Sequence, residues 1–313
     1  MADPPYGIIW NQLKGGKVVP FLGAGASFVG RPAESQWNQN RPTFLPSGAE
    51  LAQFLATESQ YPSDVESDRC DLAKVSSYYA DMSTKRTLSE RLRQVLAHDF
   101  RPGRIHHLLA AVDRPLLIVV TNYDTLAEQA FIDAKKPYDL VIHATDRKDF
   151  ANAVLWWPHG APEPRPIDPN ELDRHIDLGR TTVIYKMHGS IVPIDSKWDS
   201  FVITEDDYVN FLSRMTSNQA IPAMFYSHCR ERSFLFLGYS LRDWNLRVIL
   251  KNLNRAFARR AAEDDDDRVQ SWAIQWKPTD VERKLWEKRD VNIFDMDIER
   301  FVEKMQGVIR PPK

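Results

Sequence analysis

Cysteine is almost absent from this sequence. Cys70 and Cys229 are the only two in 313 residues, they lie far apart and neither belongs to a Cys-x-x-Cys pair. That excludes a disulfide framework or a cysteine-based zinc site as the organising feature. Long apolar runs are missing too: none approaches the roughly 20 residues that a membrane-spanning helix needs, and no basic-then-apolar signal segment opens the chain. An excess of one charge is likewise lacking. With 41 Lys and Arg against 43 Asp and Glu, nothing in the composition calls for direct nucleic-acid binding or an anionic membrane surface. The expected setting is a reducing cytoplasm.

What is present is material for a large core. Apolar runs rich in β-branched residues fall at Val18 to Leu22, Pro115 to Val120, Asp139 to His143, Thr182 to Met187, Ser233 to Leu237, Trp272 to Trp276 and Val291 to Met296. They are continuous rather than alternating, the pattern of parallel strands buried on both faces. Helical patterns separate them, among them Gly48 to Thr57, Leu72 to Ala80, Leu88 to Ala97 and Asp243 to Arg260. The alternation predicts an α/β fold, a doubly wound Rossmann-like parallel sheet with helical insertions and no zinc module, as a single domain over 1–313. Two stretches break the pattern. Residues 28–46 are polar and proline-punctuated, which predicts a mobile loop over a ligand. Residues 156–180 carry five prolines and predict a surface excursion, and the acidic run at 263–267 predicts a solvated loop.

The first apolar run ends in VVPFLGAGAS, residues 18–27. Gly23 and Gly25 would let backbone amides approach a pyrophosphate at the mouth of a strand. A P-loop is excluded, because Ser27 is followed by Phe28 and Val29 where a Lys-Ser or Lys-Thr pair is required. The third glycine and the distal acidic residue of the ordinary dinucleotide fingerprint are also missing, so the stretch alone is equally a tight strand-to-helix turn. Three more strand ends add to it. TNYD (Thr121, Asn122, Tyr123, Asp124) follows LLIVV, His188 follows TTVIYKM, and Gly238, Tyr239 and Ser240 follow SFLFL. In an open parallel sheet, all four clusters converge on the crevice at the carboxyl edge.

This ordered set, GAGAS, TNYD, HG and GYS before an Asp-led helix, resembles a sirtuin catalytic core, from about residue 17 to about residue 296. More narrowly it resembles the prokaryotic sirtuin-like (SIR2-like) domains of anti-phage defence, several of which destroy NAD. The resemblance implies that Gly23, Ala24, Gly25 and Ser27 hold the NAD pyrophosphate and adjoining ribose, and that Gly238 and Ser240 meet the adenosine side. It implies that Asn122 and Asp124 lie near nicotinamide and its ribose, beside Thr121, which stands where deacylases usually carry Gln. His188 matches the family's catalytic histidine. Deacylating sirtuins also carry a four-cysteine zinc module and an Ile-Pro-Asp-Phe-Arg segment; the module is absent and Arg31 with Pro32 only echo the segment.

The expected activity is therefore a metal-independent NAD glycohydrolase acting as an NAD-depleting effector. The alternatives are an NAD-dependent protein deacylase and a non-catalytic sensor of NAD or ADP-ribose derivatives. Asn122 can orient ribose or water because its amide both donates and accepts; its plainer role is turn capping. Asp124 could bind the carboxamide or cap the helix beginning at Thr125. His188, with a near-neutral pKa, could accept a ribose hydroxyl proton, or be a core histidine satisfied by backbone. Trp156 and Trp157 could wall the nicotinamide pocket or serve as core. Since the core occupies nearly the whole chain, activation is expected from outside: a homo-oligomer, a HerA-type ATPase or a short Argonaute.

Overall fold

The computed structural model describes residues 3–28, 30–32, 34–145, 150, 152–216, 221–239 and 270–309. In chain order the strands are β1 (Val18–Leu22), β2 (Leu117–Val120), β3 (Asp139–His143), β4 (Val154–Trp157), β5 (Arg165–Ile167), β6 (Val183–Lys186), β7 (Gly189–Ser190), β8 (Ser200–Phe201), β9 (Ser233–Leu237), β10 (Ser271–Gln275) and β11 (Val291–Asp295). All seven apolar runs become strands. Nine strands form one sheet in the order β11-β10-β9-β1-β2-β6-β3-β4-β5, and β7 pairs with β8 apart from it. Every pairing from β11 to β3 is parallel.

The described helices are α1 (Tyr6–Lys14), α2 (Gly48–Glu58), α3 (Glu66–Arg69), α4 (Leu72–Met82), α5 (Lys85–Leu96), α6 (Arg104–Ala110), α7 (Leu126–Asp133), α8 (Glu205–Thr216), α9 (Ala223–Cys229), α10 (Asp280–Glu287) and α11 (Ile298–Ile309). Successive strand residues point to opposite faces, and helices cover both. Ile118, Ile142 and Ile184 pack on one face with Phe131 and Phe301. Val119, Val141 and Tyr185 pack on the other with Phe211, Phe225 and Trp286. The sheet is thus doubly wound, as the runs without alternation require. A third core, of Leu51, Leu55, Val75, Leu88 and Leu92, belongs to the helical insertion between β1 and β2. Its first helix starts on a capping box, in which Ser47 accepts from the Glu50 amide and Glu50 from the Ser47 amide.

The order places β1 between β9 and β2, so the chain leaves β1 for one side of the sheet and returns to it on the other. That is the topological switch point at which parallel sheets open a crevice. Pro20 sits in this central strand, where a missing N–H ordinarily breaks a ladder. It is accommodated because β2 pairs with β1 only at Phe21 and Leu22, beyond the proline.

Two features depart from the sequence reading. The stretch 156–180, expected as a surface excursion, opens as sheet: Trp156 and Trp157 lie in β4, antiparallel to β3, and β5 follows at the edge. Trp156 is buried, and its indole donates to Asp139 at 2.9 Å. Pro166 is tolerated because β5 is an edge strand. The second is α1, an added amphipathic helix whose Ile9 and Leu13 are buried one turn apart. Ser240, the helix expected from Asp243 to Arg260 and the acidic run at 263–267 lie outside the described residues.

Candidate active site

The loops that leave β1, β2, β6 and β9 meet at one edge of the sheet, and backbone hydrogen bonds tie them together there. Thr121 N donates to Leu22 O at 3.0 Å, Met187 N to Val120 O at 2.9 Å, and Gly23 N to Leu237 O at 3.0 Å. They line a cavity of about 290 Å³ that Ala24, Ser27, Thr121, Asn122, Asp124, His188 and Gly238 all face. The opposite wall is apolar, built from Phe28, Leu45, Leu51 and Leu72 and thus largely from the helical insertion.

Within the cavity three polar side chains form a chain with a defined direction. Asn122 Nδ2 donates to Ser27 Oγ at 2.7 Å and to Gly23 O at 2.9 Å. Ser27 Oγ then donates to Asp124 Oδ2 at 2.7 Å. The other Asp124 oxygen accepts from Leu126 N, the first residue of α7, at 3.0 Å, so Asp124 satisfies a helix-start amide from one position before the N-cap, which is Thr125, while also joining the polar chain. Thr121 Oγ1 accepts from Tyr239 OH at 2.8 Å, bridging the β2 and β9 loops.

The glycines have a second use that the sequence did not suggest. Gly25 N donates to Gly238 O at 2.9 Å, and a Cβ on Gly25 would lie 2.7 Å from Gly238 Cα. Gly238 has φ +71°, and its own Cβ would lie 2.3 Å from Ala26 N. The two loops touch backbone to backbone, which only glycine allows. The amides of Gly23 and Gly25, expected to face a pyrophosphate, donate instead to the end of β9 and to the loop after it.

His188 follows β6 and is buried at 6% exposure. Tyr208 and Phe211 of α8 meet its ring edge-on, at 5.6 and 5.4 Å between centroids. Its Nε2 is buried with no hydrogen-bond partner among the described residues. Burial pulls its pKa down to about 4, which corrects the near-neutral value expected from sequence: at pH 7 the ring is a neutral imidazole. A buried polar atom without a partner is costly, and His188 Nε2 differs from the other such atoms of the core in belonging to a side chain that lines the cavity.

In the described part of the stretch 28–46 one arginine makes the main polar contacts. Arg31 forms two hydrogen bonds to the Glu50 carboxylate, at 2.8 and 2.6 Å, and stacks on Phe44 at 4.3 Å. Glu50 also accepts from Trp37 N and Ser47 N, each at 2.8 Å. These bonds hold its carboxyl at about 2.

His106 is buried and accepts from Gly103 N at 3.1 Å. Trp156 serves the sheet edge. Lys186 and Glu128, buried behind Asp124, were not singled out from sequence; a lysine ending an otherwise apolar strand run was the available signal. Both cysteine thiols are free, and burial pushes that of Cys229 up to about 12. Among the described residues no group of three or more His, Cys, Asp or Glu side chains could hold a metal ion, and no helix is long and apolar enough to cross a membrane.

A family model described as a SIR2-like domain matches residues 116–294. Among curated proteins, one named NAD(+) hydrolase ThsA from Acinetobacter baumannii (strain 532279) is 30% identical over 66% of this chain and 36% of its own length. Proteins of the same name from Enterococcus faecium and Cytobacillus dafuensis are 27% and 25% identical, over 66% and 61% of this chain and 36% and 31% of theirs. The chain spans about a third of the length of these relatives.

Proposed function

This chain belongs to the SIR2-like family, and from that membership we propose that it hydrolyses NAD to nicotinamide and ADP-ribose. The observation that carries the proposal is the meeting of Ser27, Asn122, Asp124 and His188 in one cavity, with a buried imidazole nitrogen left unpartnered. The relatives named NAD(+) hydrolase support the substrate.

Water adds to the ribose C1′ as the bond to nicotinamide breaks. The leaving group departs neutral and one proton is released, so no metal is required. The transition state is cation-like at the ribose, and the site's task is to hold ring and leaving group apart while presenting water. Asn122 orients the ribose or the water through its amide. Neutral His188 accepts a hydrogen bond from a ribose hydroxyl or from the water. Asp124 takes the nicotinamide carboxamide or the adjoining ribose. Thr121, Ala24, Gly238 and Ser240 carry the rest of the dinucleotide, with Gly23 and Gly25 shaping the loop beside it.

We further propose that turnover becomes fast only within an assembly, formed by self-association or with a sensor protein, and that the outcome is NAD depletion in defence against phage. What favours such control is that unrestrained turnover would drain the cell's own NAD. The test is to incubate the purified chain with NAD, alone and with the product of a neighbouring gene, and to identify products by mass spectrometry. Equal amounts of nicotinamide and ADP-ribose, unaffected by EDTA, are expected. Absence of both under every condition, or consumption of NAD only with an acyl-lysine peptide, would overturn the proposal.

A further inference from the structure

Lys186 is the last residue of β6 and is fully buried, at 0% exposure. It pairs in register with Val120 of β2 and Ile142 of β3, both of which lie in the apolar core. Its ammonium donates to the backbone carbonyl of Asp124 and lies 3.4 Å from Glu128 Oε1, also buried. Two physical costs oppose a lysine here. Removing an ammonium from water is expensive even when it is paired, and a cation beside the first turn of a helix, here α7, opposes the helix dipole. Glu128, whose own carboxyl burial pushes up and Lys186 pulls back down, offsets part of each cost by its approach rather than by a hydrogen bond. His106, within electrostatic reach, adds no charge, since burial lowers its pKa and leaves it neutral at pH 7.

The contact that remains to explain the lysine is the one with Asp124. That carbonyl belongs to the peptide leading from the strand-end loop into α7, and fixing it fixes the backbone from which the Asp124 carboxylate reaches Ser27. We propose that Lys186, anchored by Glu128, is a positioning residue that holds Asp124, and through Ser27 also Asn122, in working geometry from beneath the site. The kinetic half of this inference rests on the NAD glycohydrolase reading; the structural half does not.

The experiment uses the double variant Lys186→Met with Glu128→Gln, which removes both charges together and leaves no unpaired buried ion. Its crystal structure and its NAD turnover are compared with those of the unaltered chain. The expected result is loss of the 2.7 Å Ser27–Asp124 bond and a fall in kcat of about 10-fold or more, with KM within about twofold and melting temperature near that of the unaltered chain. An intact Ser27–Asp124 bond with unchanged kcat would overturn the inference and leave Lys186 a structural ion. If the unaltered chain cleaves no NAD, the functional reading fails while the crystal structure still decides the positioning. Should the double variant not fold, the unaltered chain labelled with ¹⁵N-lysine decides. An exchange-protected Lys186 ammonium signal that shifts when NAD binds supports the inference, and one indifferent to saturating NAD overturns it.

Discussion

Ser27 and Asp124, 97 positions apart in the chain, meet hydroxyl to carboxylate at 2.7 Å. A serine hydroxyl has one proton to give. Having given it to Asp124, Ser27 can only accept from Asn122, so the order of donation through the site is set. Substituting Ser27→Ala breaks both links while leaving the cavity walls in place. Turnover is expected to fall about 10-fold or more through lost orientation, with a stability cost of about 1–2 kcal/mol. Steady-state NAD cleavage and urea unfolding check the two parts. Unchanged kcat in the folded variant would show that the polar chain is idle.

His188→Ala and Asn122→Ala are each expected to lower turnover about 10²-fold or more. Their stabilities should differ. His188 Nε2 makes no hydrogen bond among the described residues, so its loss costs packing alone. Asn122 has two bonds to lose, to Ser27 and Gly23, and costs about 1–3 kcal/mol. Nicotinamide release and thermal melts read both.

The contact between the glycine loops predicts a sharp contrast. Gly238→Ala places a Cβ 2.3 Å from Ala26 N at φ +71°, and should cost about 3 kcal/mol or more. Gly48→Ala, whose new Cβ meets only Leu72 Cδ2 at 4.0 Å, should stay within about 0.5 kcal/mol of the unaltered chain. Equal melting temperatures for the two variants would refute the close approach.

Acid should weaken the fold in two stages. His188, His106 and His228 are depressed by burial, each to about 4, so below about 6.5 the unfolded chain binds protons that the folded chain refuses. Their stabilising contribution is complete above about 6.5 and declines toward about 4, by about 1.4 kcal/mol per pH unit for each histidine. Glu50 is depressed by Arg31 to about 2, so its contribution is lost only from about 4.5 downward. Urea midpoints from pH 7.5 to pH 3 should show both stages. His188→Gln should lower the slope of the first by about a third, since His106 and His228 keep their share, while Glu50→Gln should weaken the second and speed hydrogen exchange in residues 34–46.

The parts of the fold legible in sequence were those set by local pattern. Runs such as Leu117–Val120 and Phe234–Leu237 are apolar at every position, and only a strand covered on both faces requires that. The edge strands were hidden: β4 is four residues long and runs into prolines, and β5 contains one. For the same reason the motifs at strand ends could be named, because a parallel sheet turns any polar cluster after an apolar run toward one edge. What the linear order could not contain was neighbourhood. That β9 lies against β1 is decided by packing between distant segments, and it diverts the amides of Gly23 and Gly25 to the end of β9 and to the loop after it. Burial is equally non-local. His188 becomes a neutral base through the rings of α8 and the core behind them, and Lys186 meets Asp124 because β6 inserts between β2 and β3. Residue types and their order determined which chemistry was available to this chain; desolvation and strand order, which exist only in the folded state, decided which groups meet and in what charge state.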